Sequence, residues 1–161
     1  MELMQSREIS AGQSPLKRPG VRSDWAESSD MERVAALMGR LAVGARLERT
    51  GAMVQEHLQA GGKRVRARLA LAVADALGAE PGVAVGWASA VELLHNATLV
   101  HDDVQDGDRV RRGRPTLWVR HGVAQAINAG DLMLMLPFQA VGQVAVDDAT
   151  RWRLCAAVAR R

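Results

Sequence analysis

An apolar stretch that runs straight into a knot of charge constrains this chain more than any other feature. Between Val91 and Val104 the residues suit a long, largely buried helix. Asp102, Asp103 and Asp106 crowd its end within two turns, and Arg109, Arg111, Arg112 and Arg114 follow at once. The C-terminal end of a helix carries the negative pole of its dipole, so carboxylates there are disfavoured. Two such charges ~6 Å apart, at an effective dielectric near 20, repel by roughly 2–3 kcal/mol. A divalent cation resolves that cost. The arginines answer the opposite need, a grip on anionic oxygens. Acids for a hard cation beside guanidiniums for phosphate point to a site for a metal-bound diphosphate.

Composition narrows the fold around that site. A chain of 161 residues can bury one real core. Its 48% hydrophobic and 24% charged content is that of a globular protein. Tyr is absent, Phe occurs once, and the apolar residues are mainly Ala, Leu, Val and Met, which favours helices over strands. The single Cys155 excludes an intramolecular disulfide, and no Cys/His grouping suggests zinc, so a cytoplasmic setting is expected. The first residues lack the apolar run of a secretory signal, so no leader is expected. The longest apolar run, Leu132–Val146, is short and interrupted by Pro137, Gln139 and Gln143, so no transmembrane segment is expected. The net charge of +3 is concentrated near 63–68 and 109–114.

The pattern along the chain predicts an all-α fold with no sheet. Residues 1–29 read as a flexible tail, whose Lys17, Arg18 and Arg22 suit a solvated surface. Ser29-Asp30 is a cap for a first helix. Helical spacing then covers about 31–60, bent or broken at Gly51. Two glycines, Gly61-Gly62, open a helix over about 63–77, with Val65, Leu69, Ala72, Val73 and Ala76 inward. Further helices are expected over about 83–105 and 120–146, the latter as one or two helices with bends at Gly122, Gly130 and Pro137. A last helix over about 149–160 is capped by Asp147 or Asp148.

Three groupings carry chemistry. Asp102 and Asp106, four apart, share one helix face, and their oxygens can converge on a cation. Mg²⁺ suits them, because it takes few carboxylates, keeps waters and completes its shell with substrate phosphate. Asp103 is placed to support from behind or to bond an arginine. The competing reading is a solvated acidic cap. His95, seven residues before Asp102, lies two turns up the same face, although a lone His on an apolar helix is commonly a core residue. The second grouping is Gly61-Gly62-Lys63-Arg64-Val65-Arg66. Cations at a helix N-terminus oppose its dipole, so an anion is expected to compensate, and phosphate binds such ends. A solvated basic face is the alternative. The third is Arg111-Arg112-Gly113-Arg114-Pro115-Thr116. Nucleic acid is disfavoured as its target, because three carboxylates just upstream would repel a phosphate backbone.

Taken together, Gly-Gly-Lys-x-x-Arg, then Leu-Leu-His-x-Ala-Thr-Leu-x-His-Asp-Asp-x-x-Asp, then Arg-Arg-Gly-Arg-Pro-Thr, then Gly130-Asp131 resemble the trans-type polyprenyl diphosphate synthases. The resemblance covers about Met31 to Phe138. It implies the N-terminal half of the isoprenoid synthase helical bundle over residues 30–161, with a family-type homodimer possible. It implies Mg²⁺ on Asp102 and Asp106, and Arg111 on an allylic diphosphate. It places isopentenyl diphosphate at Lys63, Arg66, His95 and Arg112. The implied reaction is head-to-tail condensation of these two substrates, with Asp102, Asp106 and Arg111 stabilising the departing diphosphate. Ala97 and Thr98, five and four residues before Asp102, would shape the chain-length pocket. Neither is aromatic, which implies a geranylgeranyl-type or longer product. Ala67 departs from the family, which usually has Pro there. Family chains are roughly twice as long, and their second aspartate-rich motif has no counterpart here. Asp147-Asp148 and Gly142-Gln143 come too early to serve. The expectation is a truncated chain, inactive or nearly so alone. The alternatives are a non-catalytic partner subunit of a full-length synthase and a fragment of a longer-chain synthase.

Overall fold

Pro81 opens the helix around which the others are arranged. Its fixed φ suits the first helical position, where an amide hydrogen would be unpaired anyway. That helix, α4, is one of seven among the residues that the computed structural model describes, 29–45 and 47–160. The order is α1 (Ser29–Val43), α2 (Glu48–Gln59), α3 (Val65–Ala76), α4 (Pro81–Gln105), β1 (Val110–Arg111), β2 (Arg114–Pro115), α5 (Leu117–His121), α6 (Val123–Gly142) and α7 (Asp148–Ala159). The tail expected over 1–29 lies outside the described residues except for Ser29, which already belongs to α1.

α4 is apolar almost all round, and such a helix belongs inside a bundle. It packs most extensively against α6, with α3 and α1 on its other sides and α7 near its middle. Leu93, Ala97 and Val100 on α4 meet a core to which α6 contributes Ala129, Met133 and Leu136. By length and composition α4 could cross a membrane, which the sequence reading did not anticipate. Most of it is nevertheless buried within the bundle, as in a core helix. It ends where Asp106 donates its N–H to the Asp102 carbonyl at 2.8 Å and Gly107 turns left-handed at φ 72°.

Several expectations are corrected. The first helical stretch divides at 44–47, not at Gly51. Gly51 lies inside α2, where an added Cβ would come within 2.5 Å of the Ala42 carbonyl oxygen, so this glycine permits close approach of α1 and α2. The inward face of α3 is Ala67 and Leu71, whereas Val65, Leu69 and Val73 are exposed, Leu69 at 62%. Apolar spacing identified the helix but could not tell a covered apolar face from an open one. Pro137 does not end α6 and is buried within it. Asp147 caps α7 as expected, its Oδ1 accepting the Thr150 N–H at 2.9 Å.

The Arg-rich segment is not a plain loop, and the fold is not wholly free of strand. β1 and β2 form a minimal antiparallel hairpin in which Arg111 pairs with Arg114. The two residues between them, Arg112 (φ 53°) and Gly113 (φ 75°), are both left-handed, as the tight turn that matches strand twist demands. Glycine meets that demand freely, while Arg112 adopts it at a cost of about 1–2 kcal/mol.

Candidate functional site

The three acids at the end of α4 divide into two roles. Asp103 turns inward, is buried, and accepts from Arg111 Nε at 2.6 Å. Burial pushes its carboxyl above the usual carboxylate range, and the Arg111 hydrogen bond opposes that shift. Asp102 and Asp106, one turn apart, stay exposed. Acids with their side chains free on a helix end and a third acid held behind them suit a hydrated divalent cation. Asp102 and Asp106 therefore fit Mg²⁺ as a partial set whose shell water and substrate phosphate would complete. Among the described residues no group of three metal-ligating side chains converges.

Arg111 also lies 3.7 Å from Asp108 through Nη2, so two carboxylates orient it. The hairpin that carries it is anchored nearby. The Asp108 carbonyl accepts from Thr116 Oγ1 at 2.9 Å and from Trp118 Nε1 at 2.7 Å. Arg109 stacks over the Trp118 ring at 5.4 Å. These contacts hold β1–β2 against the end of α4.

The structure brings the two basic groupings together. Gly62 does not open a helix, since α3 starts at Val65. Its missing side chain makes room for Arg112: a Cβ on Gly62 would lie 2.6 Å from Arg112 Cζ and 2.7 Å from both Nη atoms. The Gly-Gly pair thus brings the segment carrying Lys63 beside Arg112. Lys63 is exposed and precedes α3, so it does not share a helix face with Arg66 as expected. Arg66, in the first turn of α3, and His95, on α4, line one cleft with Trp87, Val91 and Leu94.

The two pocket-floor candidates part company. Thr98 donates Oγ1 to the His95 carbonyl at 2.8 Å and lines a cleft of about 360 Å³ with Leu94, Leu134, Met135 and Phe138. Ala97 is fully buried in the bundle core and does not line that cleft. The cleft walls on α6 were not singled out from sequence. Phe138, the one Phe in the chain, was the available signal.

Beneath the cationic loop lies His57 of α2, 8% exposed, which sequence reasoning also missed. Its Nε2 has no hydrogen-bond partner, and its pKa is lowered to about 4, by burial first and then by Arg112. Neighbouring Glu56 pairs with Arg120 and, at 3.1 Å, with His121 Nε2.

At the Gly130-Asp131 pair, a Cβ on Gly130 would meet His101 Nε2 at 2.3 Å, and His101 Nε2 lies 3.4 Å from Asp131 Oδ1. The glycine seats His101, the residue before Asp102, against α6.

The polyprenyl synthetase family model matches residues 48–160. The chain belongs to that family. It is 48% identical over 87 residues to a short chain isoprenyl diphosphate synthase of Methanothermobacter thermautotrophicus, a match covering 53% of this chain and 27% of the relative. It is 51% identical over 75 residues to a (2E,6E)-farnesyl diphosphate synthase of Mycobacterium bovis, covering 47% of this chain and 21% of the relative. Geranylgeranyl pyrophosphate synthetase from Pyrococcus horikoshii superimposes with a TM-score of 0.77 at 32% identity, covering 86% of this chain and 42% of that one. The chain therefore spans less than half the length of that structure, and its matches span about a quarter of these relatives. The fold is that of the all-α isoprenoid synthases, and the enzyme class of the family is prenyl transfer between diphosphates.

Proposed function

We propose that this chain carries the first half of a Mg²⁺-dependent synthase site for head-to-tail condensation of isopentenyl diphosphate with an allylic diphosphate. Asp102 and Asp106 would hold Mg²⁺, and Arg111 would contact the allylic diphosphate. Lys63, Arg66, His95 and Arg112 would hold isopentenyl diphosphate. The observation that carries this reading is the split among the acids: Asp103 engages Arg111 at 2.6 Å, leaving Asp102 and Asp106 exposed together. A bare acidic cap would not need one acid to fix an arginine in the adjoining hairpin.

Mg²⁺, when bound, would neutralise charge on the diphosphate as the allylic C–O bond ionises. Arg111 keeps N–H groups beyond the Nε bonded to Asp103, and these can reach phosphate oxygens. The carbon chain of the allylic substrate would run into the cleft beside Thr98. The absence of bulk at Thr98 favours a geranylgeranyl-type product over a shorter one. A second reading, a non-catalytic subunit docked on a full-length synthase, draws on the exposed Leu69, Val73 and Leu77 of the α3 region.

The test is an assay with radiolabelled isopentenyl diphosphate, farnesyl diphosphate, Mg²⁺ and the purified chain. Product that disappears in Asp102→Ala supports catalysis. Mg²⁺-dependent retention of farnesyl diphosphate without turnover supports the binding half alone. Absence of both product and Mg²⁺-dependent retention would retire the proposal.

A further inference from the structure

Glu92 lies on α4, one turn before His95, and is only 3% exposed. A carboxylate in such a place needs hydrogen-bond donors. Its Oε2 accepts the backbone N–H of Ala67, the third residue of α3, at 3.2 Å. Its Oε1 faces Asn96 Nδ2 at 3.4 Å, and that same amide donates to the Glu92 carbonyl at 2.8 Å. Ala67 itself is fully buried, so its N–H has no recourse to water.

α3 has no cap of its own. Arg64 precedes it in a left-handed conformation (φ 45°) and makes no side-chain cap bond, and the first turn holds no acid. Arg66 and Arg68 there oppose the helix dipole. The anion expected at this helix end is supplied by the protein, from α4. We propose that Glu92 is a positioning residue for the cationic cradle: by capping α3 from α4 it fixes the segment carrying Lys63 and Arg66 relative to His95, and it takes the helix N-terminus so that a diphosphate is held by side chains. This rests on the isopentenyl diphosphate site proposed above.

The experiment compares Glu92→Leu and Glu92→Gln with the unaltered chain by three readouts. These are exchange of the Ala67 amide, affinity for isopentenyl diphosphate, and affinity for farnesyl diphosphate with Mg²⁺. Glu92→Gln keeps an acceptor for Ala67, so binding of isopentenyl diphosphate should stay within threefold and the amide should stay protected. Glu92→Leu should expose the amide and weaken isopentenyl diphosphate tenfold or more, with Mg²⁺–farnesyl diphosphate within twofold. Tighter isopentenyl diphosphate binding in both variants would mean that Glu92 acts only by charge, and equal loss of both ligands would mean a general structural role. Either result overturns the proposal. If the unaltered chain binds neither ligand, the synthase-site reading fails, and the Ala67 amide alone decides: protection kept in Glu92→Gln and lost in Glu92→Leu upholds the cap, and any other pattern refutes it.

Discussion

His57 offers a quantitative test of how the site is built. Its ring is buried beneath the hairpin, with Arg112, Arg111 and Asn96 close by and Glu56 as the nearby acid. Burial, then Arg112, lowers its pKa from 6.5 to about 4. The folded state therefore resists protonation that the unfolded chain accepts. Stability from this effect is complete above about pH 6.5 and is lost as the pH falls toward 4. A shift of about 2.5 units at about 1.36 kcal/mol per unit gives a loss of roughly 3 kcal/mol. His57→Phe, similar in shape and unable to titrate, should lack that loss. Urea unfolding of both proteins from about pH 7 to about pH 4 measures it, and carboxylates common to both cancel in the difference. The wild-type curve should fall below that of the variant by roughly 3 kcal/mol at the acid end, after alignment at neutral pH. Parallel curves would refute the reasoning, because they would mean that water reaches the ring and its pKa is ordinary.

Other substitutions test the packing around the site. Gly62→Ala forces a Cβ to within 2.6 Å of Arg112 Cζ, so affinity for isopentenyl diphosphate should fall tenfold or more while the circular dichroism spectrum is kept. Gly51→Ala presses on the Ala42 carbonyl at 2.5 Å and should lower stability to urea by roughly 1–3 kcal/mol, since overpacking shifts α1 from α2. Asp103→Asn weakens the bond to the partly exposed Arg111 and should cost about 1–2 kcal/mol of stability, with Mg²⁺-dependent binding of farnesyl diphosphate reduced alongside.

Much of the helical order was legible because helix propensity and Gly/Pro punctuation agree. Pro81, Gly107 and Gly122 fall at helix ends, and Asp147 caps where it should. The acids, His95 and the arginines were legible as residue types at helical spacing. What was not legible depends on partners distant in sequence. Gly51 and Gly62 looked like breakers, and only the packed chain reveals the Ala42 oxygen and the Arg112 guanidinium that need their missing side chains. The hairpin was hidden because Arg stands where such turns favour Asn or Gly. Which face of α3 is covered could not be read, since Leu69 and Leu71 are equally apolar. Glu92 had a signal, a lone acid in the apolar run from Val83 to Leu94, but its use as a cap for α3 depends on where α3 begins.

Calorimetry of Mg²⁺ and farnesyl diphosphate binding tests the central claim most directly. Mg²⁺ dehydrates reluctantly and prefers phosphate in its shell, so Mg²⁺ alone should give little heat. Mg²⁺ with farnesyl diphosphate should give saturable binding to the unaltered chain, and Asp102→Ala should abolish it. Equal heats for the chain and for Asp102→Ala would contradict the account and reduce the exposed acids of α4 to a solvated helix end.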